Sequence, residues 1–457
     1  MIESNLAGAL YLPGLLLAGY GLMTPFKNLS RLERLGFAAC LGPGAIGLCL
    51  IGISMLGYPP SRSVILILIS SFGLMTFQCF TRPAALIPIP ASPVNALWRI
   101  LGLAAILFAI SRVGFQAVFQ QTIEWDAYAI WQLKAKLLAT TALTPRPAYF
   151  TDVSLSYSHL RYPILMSMIS ASVHVMTGTL NDGLEKVPAI LLLVGLCACV
   201  YGAIFRRRGS GAALTATALL LTTPTLLKFA GSGTAELAIA AFYACSIAAI
   251  LRWQEQQKIA DLLLAAFFSA CLAWTKNEGL ALAVVNLVII LFATPRPLLR
   301  RHLTSAALFG AIIAMLYLPW FLYTHELPRT DEDYAGHLNV TRIVANIDRL
   351  PQILWAMLME TFNLARWGIF WVILLPLAIL EWKQLQTRPV LTLIALLALQ
   401  TTSYVVAYLV TPLDVDHLIM TTSYRLLLHA SPVGALLVGM LWPPSARKKP
   451  VPLPTGP

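Results

Sequence analysis

The stretch ALWRILGLAAILFAISRVGFQAVFQQTIEWD, residues 96–126, carries both the fold and the first clue to function. Its residues 96–119 form an apolar run long enough to cross a bilayer, since a ~30 Å hydrocarbon core takes about 20 helical residues. The run closes on Glu124-Trp125-Asp126, two carboxylates one residue apart where a span would meet water. Acids at a membrane edge are costly to hold there and mark functional positions. Asp126 is therefore the first candidate for chemistry and Glu124 the second.

The same pattern recurs along the 457 residues, of which 58% are hydrophobic and only 11% charged. A soluble domain carries about 25% charged residues. The mean hydropathy of +0.75 agrees with this class. Apolar windows predict an all-α polytopic membrane protein of about thirteen transmembrane helices, with interfacial helices in its outer loops. Four spans fill 1–119 and a first outer loop covers 120–186. Six spans follow over 187–323, a second outer loop over 324–365, and three spans with a cytoplasmic tail over 366–457. The first span lacks a basic leader and a small-residue cleavage site, which predicts that it is retained. The cysteines at 40, 49, 79, 197, 199, 245 and 271 lie in or beside apolar spans and read as packing residues.

Orientation follows from basic residues in short loops. Lys27, Arg31 and Arg34, the run Arg206-Arg207-Arg208, Arg252, Arg300 and Arg301, Lys383, and Arg447-Lys448-Lys449 all fall on one face, which is expected to be cytoplasmic. Most carboxylates and histidines fall on the other. The net charge of +12 is thus a sidedness signal and implies no nucleic-acid partner. The apolar piece 161–178 is short, and a crossing there would invert the Arg206-Arg207-Arg208 loop. It is expected to be an interfacial or re-entrant helix. Ile123, Tyr128, Trp131, Lys134 and Lys136 predict an aromatic helix lying in the interface, and 340–365 a second amphipathic one. Asp331-Glu332-Asp333 is a lesser candidate for metal or sugar binding; an acidic run in a loop is more simply solvated.

Five short motifs share the outer face. They are WDAYAIW (125–131), HLRYP (159–163), GTAEL (233–237), WTKNEGLAL (274–282) and DVDHLIMTTSYRLLLHASP (414–432). In order and placement they resemble elements of the GT-C membrane glycosyltransferases, a group that includes protein O-mannosyltransferases and the aminoarabinose transferase of lipid A. The likeness spans about 96–432. Two departures stand out: four spans precede the first outer loop, where the best-known members have one, and Glu236 occupies a place where Asp is more usual. The resemblance implies a first outer loop bearing the catalytic carboxylate and a donor sugar linked to a polyprenyl phosphate or pyrophosphate. It also implies an acceptor that is a glycan, a lipid or a protein.

The residues suit that chemistry. Transfer from a lipid phosphate needs a base for the acceptor hydroxyl and cations for the departing phosphate. Asp126 is the expected base, although Asp also favours a helix N-cap. Glu124 would orient the acceptor. Arg425 is the expected phosphate grip, since a guanidinium donates two parallel hydrogen bonds, whereas a plainer reading has it snorkelling at a span end. Lys276 and Arg112 are further donor-phosphate candidates, and Lys276 alternatively pairs with Glu278. His159, Tyr162, Glu236, Glu278 and His417 complete the expected substrate contacts. Mg2+ or Mn2+ on Glu124 and Asp126, or on Asp414 and Asp416, is one expectation, and metal-free transfer the other. The expected setting is a bacterial inner membrane with the site facing the periplasm. Competing readings are a transporter or flippase of lipid-linked sugars, against which stands the lack of an inverted repeat, and an O-antigen ligase or polymerase.

Overall fold

The computed structural model describes residues 2–26, 29–76, 95–180, 182–292, 299–329 and 334–443. Among them the chain is helical and forms no strand. This is the expected solution for a bilayer-embedded chain, because a helix satisfies its own backbone polar groups. The helices used below are α1 (Ile2–Leu22), α2 (Arg31–Met55), α3 (Arg62–Leu74), α4 (Ala96–Phe119), α5 (Leu133–Thr140) and α6 (Leu165–Thr177). They continue as α7 (Pro188–Leu221), α8 (Pro224–Phe229), α9 (Glu236–Gln256), α10 (Ile259–Thr275), α11 (Asn277–Phe292), α12 (Leu299–His325), α13 (Leu350–Thr361), α14 (Arg388–Val410) and α15 (Val415–Leu441).

Among the described residues seven helices are long and apolar enough to cross a membrane: α2, α4, α7, α9, α12, α14 and α15. That is fewer than the thirteen spans read from hydropathy. Helices α1, α3, α6, α10 and α11 are apolar but shorter in their described parts. The expected span 366–381 is broken into Leu364–Trp367 and Leu374–Leu380. Its entry is pinned by Glu360, whose carboxylate accepts from Arg366 at 2.8 Å and from the Trp367 indole at 2.9 Å. The break itself begins at Gly368, whose left-handed φ of 54° ends the first piece, and hydropathy averages over such a turn.

The two segments expected at 187–205 and 211–229 emerge as the two legs of a helical hairpin, α7, whose second leg is continued by α8. Its hinge is Gly209, at φ 81° and ψ −177°, a conformation essentially reserved for glycine. Contacts with α4 show the reversal. Lys186 reaches the carbonyls of Gln116 and Gln120, Thr215 accepts from Trp98 near the opposite end, and the Lys228 carbonyl accepts from Gln116 again. Residues 186 and 228 thus share one end of α4, and residues 206–215 lie at the other. Gly209→Ala is expected to cost about 1–3 kcal/mol through backbone strain, read as a lower unfolding midpoint in detergent with no change at residues near Asp126.

Helix α9 is buried along its length against α7, α10 and α15. In contrast, α4 exposes Leu97, Ile100, Leu107, Phe108, Phe115 and Phe119. A continuous apolar face of this size is what a bilayer covers. Beside the Gly209 hinge sits a buried ionic network. Arg206 and Arg252 both donate to Glu33 at 3.0 Å, and Arg252 also donates to Asp261 at 2.9 Å. The basic loops and their few acids, assigned to one face from the sequence, do meet at one end.

The described residues of the two loops at the Asp126 end form several short helices. Helix α6, only 13 residues, is buried along nearly its whole length against α1, α2 and α5. At 1.5 Å per residue it reaches only about 20 Å. Helix α5 is also more enclosed than an interfacial helix: Lys134, Ala135 and Leu138 are buried. The second loop, expected to hold one amphipathic helix over 340–365, forms two helices, Val340–Ala345 and α13, joined by a 3-10 turn. Asp331-Glu332-Asp333 lies outside the described residues.

Candidate active site

Side chains from four separate segments meet at one end of the helix bundle. Asp126 comes from the first loop, Glu236 from the first residue of α9, Lys276 and Glu278 from the α10–α11 junction, and Arg425 from α15. Each is placed by a local feature. Asp126 has helical backbone angles (φ −60°, ψ −33°) and its side chain makes no capping hydrogen bond. It precedes a π-helical turn, Ala127–Gln132, in which Trp131 and Gln132 are buried. Gln132 Nε2 donates to the Gly233 carbonyl at 3.1 Å, tying this turn to the segment that delivers Glu236.

The junction that carries Lys276 and Glu278 depends on Gly279. A Cβ there would lie 2.0 Å from the Leu272 carbonyl oxygen. Only glycine lets α11 leave so close to the end of α10, which explains the Lys-x-Glu-Gly order.

Arg425 is the hub. Its Nε donates to Glu236 Oε1 at 2.8 Å, and its Nη2 donates to both Glu236 Oε1 and Asp126 Oδ2. Lys276 Nζ lies 3.5 Å from the same Glu236 oxygen and 2.8 Å from Glu278 Oε1. Arg425 also stands over the Phe229 ring at 5.9 Å. The Glu236 side chain is 0% exposed, whereas that of Asp126 is 27% exposed. Glu236 is therefore the fixed counter-ion that orients both cations, and Asp126 is the carboxylate that a second molecule can reach. Nη1 of Arg425 carries no hydrogen bond among the described residues. Two cations face three carboxylates, so charge is nearly balanced before any ligand arrives.

His429 was not singled out from the sequence. It lies one helical turn beyond Arg425, fully buried, with both ring nitrogens unpartnered among the described residues. It is within electrostatic range of Lys276, Glu278, Glu236 and Arg425. The i,i+4 spacing from Arg425 was visible in the sequence, but a lone histidine in an apolar run carries little signal by itself.

Tyr162 lines a cleft of about 160 Å³ with Glu278, Tyr404, Tyr408, Thr422 and Leu426. It therefore sits beside the cluster. His159 sits behind it, stacked on the Tyr162 ring at 4.5 Å, with a left-handed backbone (φ 50°). The His159 carbonyl accepts from Lys134 Nζ at 2.6 Å. Burial of that amine pushes its pKa down to about 7.

The other candidates lie apart. Glu124 pairs with Lys228 at 3.4 Å and lines a separate groove together with Arg112. Glu124 and Asp126 thus engage different cations, and a metal shared between them would have to displace both. Asp414 caps α15 through the His417 amide at 2.7 Å, while Asp416 accepts from Gln352. His417 itself is exposed on the first turn of α15, eight residues before Arg425. Among the described residues no three His, Cys, Asp or Glu side chains gather as a metal site. No protein-family model, no curated protein and no solved structure matches this chain.

Proposed function

We propose that the chain is an inverting glycosyltransferase of GT-C type that takes a sugar from a polyprenyl-phosphate-linked donor at the outer face of a bacterial inner membrane. One observation carries the reading. Asp126 and Arg425, the base and phosphate grip expected from sequence, are joined directly although 299 residues apart. In this reading the acceptor hydroxyl attacks the anomeric carbon opposite the phosphate. Asp126 accepts the hydroxyl proton as the new C–O bond forms and the old one breaks. The lipid phosphate leaves with its negative charge held by Arg425 Nη1 and Lys276. Glu236 and Glu278 hold the two cations in place, and Tyr162 borders the sugar.

The accompanying topology is the full set of about thirteen crossings, with α1, α3, α10, α11, both legs of α7 and the broken segment 366–381 counted as spans, α6 left out, and the Asp126 end in the periplasm. In intact cells, a cysteine replacing exposed Ser154 is expected to react with a membrane-impermeant maleimide, whereas one replacing Ser210, beside the Gly209 hinge, is not. Reversed labelling would place the carboxylates in the cytoplasm and end the proposal.

Activity is tested with a radiolabelled polyprenyl-phosphate sugar in proteoliposomes. A product with a new glycosidic bond is expected. Movement of intact donor across the bilayer without such a product would identify a flippase, and transfer of a preassembled glycan from pyrophosphate would identify a ligase or polymerase. EDTA in the same assay reads any dependence on Mg2+ or Mn2+.

A further inference from the structure

The groove that holds Glu124 has a composition unlike that of the Arg425 cluster. It measures about 440 Å³ and runs between α4 and α8, with Arg112, Gln116, Gln120 and Lys228 on its walls. Arg112 Nη1 and Gln116 Oε1 are buried there without a partner among the described residues. Two cations face one carboxylate, Glu124, so the groove has a net positive charge. An incompletely paired guanidinium within an apolar span is expensive unless an anion accompanies it.

A second feature shares this seam. About 16 Å further along α4, from the 1.5 Å rise per residue, lies an apolar cleft of about 210 Å³. It is walled by Trp98 and Leu101 of α4, Leu214 and Leu219 of the returning leg of α7, and Ile373. Leu101, Phe108, Arg112, Phe115 and Phe119 fall on one stripe of α4, and the three phenylalanines are exposed. A cationic pocket and an apolar cleft on one helix face, joined by exposed aromatic rings, match an amphiphile with an anionic head.

We infer that the α4–α7–α8 seam binds a lipid phosphate, with its head on Arg112 and Lys228 and its chain in the Trp98–Leu219 cleft. This site is distinct from Arg425. Resting on the glycosyl-transfer reading, it makes the acceptor a phosphorylated lipid held two residues from Asp126, since Glu124 lines the same groove.

Binding is measured by native mass spectrometry of the detergent-solubilised full chain, offered phosphatidic acid, phosphatidylcholine or inorganic phosphate. This readout does not require turnover, so its failure is separable from failure of the transfer assay. The wild-type protein is expected to retain phosphatidic acid about tenfold better than the other two, as charge-assisted hydrogen bonds to phosphate would give. Arg112→Gln combined with Lys228→Gln should abolish the preference. Ala218→Trp, which fills the apolar cleft without touching a charge, should weaken retention. Lys258→Gln, which removes an exposed cation at the start of α10 away from the seam, should leave it unchanged. Unchanged retention in the first two variants, equal binding of inorganic phosphate, or loss of retention in Lys258→Gln would each overturn the proposal.

Discussion

Asp126→Asn is expected to lower sugar-transfer turnover by about 10²–10⁴ while the protein folds and binds donor lipid almost as before. Asparagine keeps the size of the side chain and can still accept a hydrogen bond from Arg425, but it cannot take the acceptor proton. The structure sharpens this test. Asparagine and aspartate serve almost equally as N-caps, so a capping role would have predicted a silent change. Asp126, however, makes no capping bond and turns to Arg425. Initial rates at saturating donor, with donor affinity measured separately, decide the matter. An Asp126→Asn protein with wild-type turnover would remove the general base and leave the cluster a purely structural ion network.

Arg425→Ala should be the more damaging change, because it affects two properties at once. Glu236 would keep only Lys276, at 3.5 Å, as a nearby cation. Removing one partner of a buried ion pair typically costs about 3–5 kcal/mol. The unfolding midpoint in detergent should fall accordingly, and donor affinity should be lost. Combining Arg425→Ala with Glu236→Gln separates the two effects. The stranded charge is then gone, so stability should recover in part, whereas donor binding should not. Arg425→Lys is expected to restore stability better than affinity, since a point charge balances Glu236 but cannot reproduce the planar fork. Full donor affinity in Arg425→Lys would rule out recognition by the guanidinium and leave simple charge attraction.

The class of this protein was legible without a structure because hydropathy and loop charge are sums over local sequence. A run such as 96–119 must be helical in lipid whatever surrounds it, and basic loops such as Arg206-Arg207-Arg208 declare their side individually. Asp126 was legible for a related reason, as a charged group at a place where charge is expensive, whereas Glu236, Lys276, Glu278, Tyr162 and Arg425 stood out through the resemblance of their motifs. The number of long spans was less legible. The break in 366–381 opens at Gly368, in a left-handed conformation (φ 54°) that a hydropathy window does not register.

Only the tertiary structure decided what those residues do to one another. Arg425 had two readings in sequence, snorkelling or gripping an anion, and the arrival of Glu236 from 189 residues away settles its orientation. The same packing separated Glu124 from Asp126, sending one to Lys228 and the other to Arg425, although a single residue lies between them. It also brought His429 beneath the cluster and gave Arg112 a groove of its own. The physical reason is the range of the forces involved. Burial preference acts residue by residue, so sequence alone reports it. An ion pair exists only when packing brings charged side-chain groups from distant parts of the chain within about 4 Å, and that distance is a property of the whole bundle.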